Sequence, residues 1–148
     1  MPIFRNVIVA ALCISLCGVA TAQTQATKSL YLRLGGYDAI AAVSDDFIGR
    51  LASDAKLSRF FVGLNDDSKL RVRQHVIDFL CNATGGPCAY LGQDMKTAHK
   101  GLAISESDWN TAVTDLTATF DKFKVAAPER TDLVAALGKL KPDIVTAK

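Results

Sequence analysis

An all-α fold is predicted here, and three observations carry the prediction. Apolar residues recur at three- and four-residue steps in four separate stretches. No stretch of useful length alternates apolar and polar residues as a half-buried strand would. Glycine pairs and Asn/Asp/Ser clusters fall between the helical stretches.

Ala39, Ile40, Val43, Phe47, Ile48 and Leu51 form the stripe of a first helix behind the turn signal Gly35-Gly36, ending near Ala52. Leu57, Phe60 and Phe61 make a short apolar corner. Asn65-Asp66-Asp67-Ser68 supplies caps for a second helix with Leu70, Val72, Val76, Ile77, Phe79 and Leu80, stopped by Gly85-Gly86-Pro87. A short helical turn carries Met95 and His99. Ser105 and Asp108 have capping-box spacing, with Asp in place of Glu, ahead of Trp109, Val113, Leu116 and Phe120. Pro128-Glu129 opens a last helix through Leu133, Val134, Leu137, Leu140 and Ile144. There is no internal repeat, and 148 residues suit one domain.

Residues 1–22 read as a secretory signal. Arg5 precedes an apolar run, Val7 to Val19, broken only by Ser15, and Ala20-Thr21-Ala22 offers a small-x-small cleavage site. The run is shorter than the roughly 20 apolar residues of a membrane span. Leu16 stands where a lipoprotein signal would place a small residue before Cys17. The expected product is residues 23–148, exported to the periplasm, unanchored after cleavage and monomeric. Without Arg5, the remaining Lys and Arg outnumber the 15 Asp and Glu by one. That balance gives no basic face for nucleic acid or an anionic membrane.

Cys13 and Cys17 fall within the signal, which leaves Cys81 and Cys88 on either side of Gly85-Gly86-Pro87. An oxidising compartment preserves disulfides, and the turn can bring the two ends together. The other reading is two small buried thiols that never meet.

The chain has two histidines. Val72, His75, Val76 and Phe79 fall at i, i+3, i+4 and i+7 of one helix and share a face. Met95 and His99, four apart, share a face beyond the glycine break. Haem iron needs a proximal imidazole, an apolar slot and control of the sixth position. His99 is the candidate for the first and His75 for the last, with Phe47, Phe61, Phe79, Met95 and Trp109 around the slot. A lone helical histidine is more often a satisfied surface or core residue, so periodicity alone does not decide. Other chemistries lack their motifs. His75, Cys81, Cys88 and His99 match no zinc spacing, and no Cys-x-x-Cys-His offers c-type attachment. Neither a phosphate-cradling glycine loop nor a nucleophile elbow is present.

One ordered set of short motifs is more specific. It runs Leu30-Tyr31-x-Arg33-Leu34-Gly35-Gly36, Asp46-Phe47, Arg59-Phe60-Phe61 and Phe79-Leu80. It continues Gly85-Gly86-Pro87-x-x-Tyr90-x-Gly92-x-Asp94-Met95-x-x-Ala98-His99 and ends in Gly101-Leu102. On these residues the chain resembles a group 1 truncated haemoglobin from about Ser29 to Val145. In particular it resembles an exported proteobacterial branch in which both cysteines recur. The resemblance implies a two-over-two helical sandwich around haem b, iron protoporphyrin IX, with oxygen, nitric oxide and carbon monoxide as partners. His99 matches the proximal ligand and Phe61 the phenylalanine packed on the haem face. Tyr90 and Met95 match residues along the haem edge. The glycine pairs match the two that allow short loops.

The departures bear on function. The family often has tyrosine at Ile48 and glutamine at Val72 and Val76, so this distal pocket is apolar. Such a pocket holds ferrous-bound oxygen poorly, because the partial negative charge lacks a donor. His75 is the one evident polar candidate. In some cyanobacterial members the aligned histidine binds iron, which implies a bis-histidyl state through His75 and His99. Otherwise His75 sits at the haem rim against a propionate or water. No third histidine is present to bond haem covalently as those members do. The expectation is a reversible gas binder rather than an enzyme. The alternatives are a bis-histidyl redox protein served by a separate reductase, for nitric oxide detoxification, peroxidase chemistry or electron transfer, and a cofactor-free helical module.

Overall fold

Asn65 shows how local chemistry sets the elements: its side chain accepts the Ser68 N–H at 2.8 Å, and Asp66 and Asp67 occupy the positive first turn of the helix that follows. The computed structural model describes residues 28–147, so the expected signal segment lies outside it. The described elements are α1 (Leu30–Arg33), α2 (Gly36–Ser53), a 3₁₀ turn (Ser58–Phe61) and α3 (Asp66–Ala83). They continue with α4 (Met95–Ala98), α5 (Glu106–Lys122), α6 (Ala127–Gly138) and α7 (Lys141–Ile144), with no strand among them. The all-α expectation holds. Ser105 and Asp108 form the reciprocal capping box at the start of α5.

Three details differ from the sequence reading. α1 is an additional element, capped by Ser29 and tied to the end of α3 by Tyr31 N–H donating to the Thr84 carbonyl at 2.8 Å. The expected last helix is two, because α6 stops at Gly138 and α7 restarts with Pro142 in its first turn. His99 is the C-cap of α4 rather than a residue within it.

Ile40, Ile77, Leu80, Leu116, Phe120 and Leu133 form one core cluster, shared by the pair α2–α3 and the pair α5–α6. Side-chain clamps hold the layers. Arg33 binds Glu129 at 3.0 Å and also Asp132, fixing α1 to α6. Asp46 accepts from Arg50 Nε at 2.7 Å, from Thr119 Oγ1 at 3.0 Å and from Lys122, fixing α2 to α5. Those donors, Lys122 foremost, bring the Asp46 pKa down to about 2.

A disulfide joins Cys81 to Cys88, with Cα atoms 5.7 Å apart. The chain between them is tight at Gly86. A Cβ there would lie 2.7 Å from Cys81 Sγ, 2.8 Å from the Cys81 carbonyl oxygen and 2.5 Å from Tyr31 Cδ2.

Candidate functional site

α3 carries two apolar faces. Ile77, Leu80 and Cys81 are sealed in the core, whereas Val72, His75, Val76 and Phe79 remain half-buried. Val76 and Phe79 pack against the rim of the core cluster, as does Phe47 from α2. Ile48, one residue on, is also half-buried. The 3₁₀ turn contributes Phe61, and α5 contributes Trp109, both half-buried. The turn is held to α5 by Arg59, which donates to Asp108 Oδ2 at 2.8 Å. The Ser105 hydroxyl and N–H, followed by Arg59, hold the Asp108 pKa at about 2. These rings and aliphatic groups are thus apolar side chains that the fold leaves half-buried rather than sealed. Apolar surface left unsealed beside a closed core suits a large hydrophobic ligand.

The α4 turn carries the second histidine. Asp94 caps it, accepting the Thr97 N–H at 2.9 Å and the Thr97 hydroxyl at 2.8 Å, and these bonds lower the Asp94 pKa. His99 lies one turn on and is half-buried. Its Nδ1 is 2.8 Å from the Met95 carbonyl oxygen. A carbonyl can only accept, so Nδ1 donates this bond and Nε2 takes no part in it. Metal-ligating histidines commonly donate such a bond from the ring nitrogen that does not touch the metal. α4 is backed by α7, and the N–H groups of Thr146 and Ala147 both donate to the Ile104 carbonyl at 3.0 Å.

The loop after the disulfide lies against α3. The Tyr90 ring meets Phe79 edge-on at 5.3 Å between centroids and His75 at 6.1 Å. Its hydroxyl donates to the Gln93 carbonyl at 2.5 Å. Burial, and then Asp94, raise the Tyr90 pKa. Gly92 lies under the ring, where a Cβ would come within 2.6 Å of Tyr90 Cε2. The roles of Gly92 and Asp46 were missed from sequence. Only the closeness of Gly92 to an aromatic residue could have hinted at the first.

The structure thus joins His75, Phe79 and Tyr90 in one contact and Met95 and His99 in another. Among the described residues no group of three or more His, Cys, Asp or Glu could hold a bare metal ion. An iron here would need a prosthetic ring to supply its other ligands, and the donor set of a basic imidazole beside apolar walls fits haem. A cleft of about 300 Å³, lined by Arg33, Val43, Phe123, Lys124 and Glu129 among others, contains none of these residues.

Comparison with known proteins follows the same lines. The bacterial-like globin family matches residues 29–146. The chain is 30% identical over 120 residues to a group 1 truncated haemoglobin of Mycolicibacterium paratuberculosis, covering 81% of this chain and 86% of that one. It is 33% identical over 112 residues to a group 1 truncated haemoglobin of Synechocystis, covering 73% and 85%. Among solved structures, the Fe(III) truncated haemoglobin of Tetrahymena pyriformis superposes with a TM-score of 0.72 at 25% identity, covering 80% of this chain and 98% of that one. The 2/2 haemoglobin of Synechococcus, in its cyanomet state with covalently attached haem, gives the same TM-score, identity and coverage.

Proposed function

This chain belongs to the bacterial-like globin family, and from that premise we propose that it reversibly binds oxygen, nitric oxide and carbon monoxide at haem b, with His99 as the proximal ligand. Bound haem supplies the iron at which a diatomic molecule is held. The single observation that carries the assignment is the Nδ1–H bond from His99 to the Met95 carbonyl, which aims a basic Nε2 away from its own helix. Phe47, Phe61, Phe79, Met95 and Trp109 would grip the ring and exclude water. Ile48, Val72 and Val76 offer a bound gas no hydrogen bond, so polar control falls to His75. The same observation, one imidazole among apolar neighbours, favours the second reading, a bis-histidyl redox protein using His75 as sixth ligand. Export to the periplasm as residues 23–148 and a monomeric state complete the proposal.

The test is haem content. The exported protein should show a strong Soret band, and His99→Ala should purify largely without haem while keeping its helical circular dichroism. Undiminished haem in that variant would remove His99 from the iron.

A further inference from the structure

We propose that Tyr90 is the positioning residue for His75, holding its imidazole at the rim of the site, and that the Cys81–Cys88 disulfide holds Tyr90 in turn. The inference rests on the haem reading above.

His75 and Phe79 lie one turn apart on α3, and the Tyr90 ring stands edge-on to both, at interplanar angles of 80° and 78°. A helical side chain has essentially two χ1 wells. A ring standing edge-on beside His75 therefore biases the choice between them.

Tyr90 has little freedom of its own. Its hydroxyl is committed to Gln93. A Cβ at Gly92 would press on the Tyr90 ring, so the glycine is what lets the ring lie where it does. Two residues earlier, Cys88 is bonded to Cys81 on α3, and the Asn82 side chain donates to the Cys88 carbonyl at 3.0 Å. The loop is thus fastened to the helix that carries His75. Four residues beyond Tyr90, Asp94 caps the turn that carries His99. One aromatic ring braces the distal imidazole against the segment that presents the proximal one. Releasing it lets His75 leave the rim and reach the iron.

The experiment uses the haem-loaded ferric protein and reads its spin state by electron paramagnetic resonance and optical absorption. Tyr90→Ala should raise the low-spin, six-coordinate fraction at least threefold. Tyr90→Phe, which keeps the ring, should stay near the parent. Adding His75→Ala to Tyr90→Ala should remove the gain. Gly92→Ala, which displaces the ring without deleting it, and Cys81→Ala with Cys88→Ala should shift the spin state in the same direction if Tyr90→Ala does not fold. In the haem-free parent, proton NMR should show cross-relaxation between the His75 and Tyr90 rings.

An unchanged spin state in folded, haem-loaded variants overturns the proposal. So does a gain that survives loss of His75, a parent already wholly low-spin through His75, or the absence of the ring-to-ring signal. A parent without a Soret band overturns the haem reading and this inference with it. A Soret band with an unchanged spin state overturns this inference alone.

Discussion

Breaking the Cys81–Cys88 bridge should lower the stability of the fold by about 2.4 kcal/mol at 25 °C. The bond closes a loop with a sequence separation of 7, and the chain-entropy relation for that length gives this figure. The native loop has other fastenings, since Gly86 N–H donates to the Cys81 carbonyl at 2.8 Å and Asn82 to Cys88. The loss therefore acts chiefly on the unfolded chain, which regains its freedom. A domain of about 120 residues unfolds with an entropy of roughly 250 cal/mol/K, so the expected drop in Tm is about 9 °C. The assay is thermal unfolding by circular dichroism of the ferrous, carbon monoxide-bound protein, with and without a phosphine reductant. The iron state is then the same in both samples. A drop under about 2 °C would refute the argument by showing that the bridge does not restrict the unfolded ensemble. A drop beyond about 20 °C would refute it from the other side, because the native loop would then depend on the bond for its geometry.

Two further outcomes can be checked in solution. Asp46 and Asp108 are held at about 2, below the ordinary carboxylate value near 3.9. Their stabilisation is present above that value and disappears as pH falls from about 4 to about 2. The urea midpoint should decline across that window and do so less steeply in Asp46→Asn, whereas a midpoint flat from pH 5 to pH 2 contradicts the assignment. Gly86→Ala forces a Cβ against the Cys81 carbonyl and the Tyr31 ring, so it should destabilise by about 1–3 kcal/mol. The denaturant midpoint should fall at constant slope, and an unchanged midpoint would show that the backbone yields there freely.

Most of the architecture could be read before any coordinates, for identifiable reasons. α3 announced itself because a polar cap cluster precedes a long apolar stripe. α5 did so because Ser105 and Asp108 satisfy each other's backbone within three residues. α1 escaped because four residues are too few to establish a period. The break between α6 and α7 escaped because Leu133, Leu137, Leu140 and Ile144 stay at helical spacing straight through it. His99 and His75 stand out as the two imidazoles of the chain, and it is the family resemblance that implies a proximal role for the first. The ring contact between His75 and Tyr90 was hidden because it depends on where the loop after Cys88 folds back. Asp46 was hidden likewise, since its partners Thr119 and Lys122 come from a distant part of the chain.

The backing of α4 by α7 bears on the order in which the site can be built. α3 and α4 are neighbours in sequence, so little chain entropy opposes their early meeting. The α4 turn gains its support only when α7 docks and Thr146 and Ala147 bond to Ile104. The docking of α7, distant from α4 in sequence, therefore closes a longer loop than the meeting of α3 and α4 does.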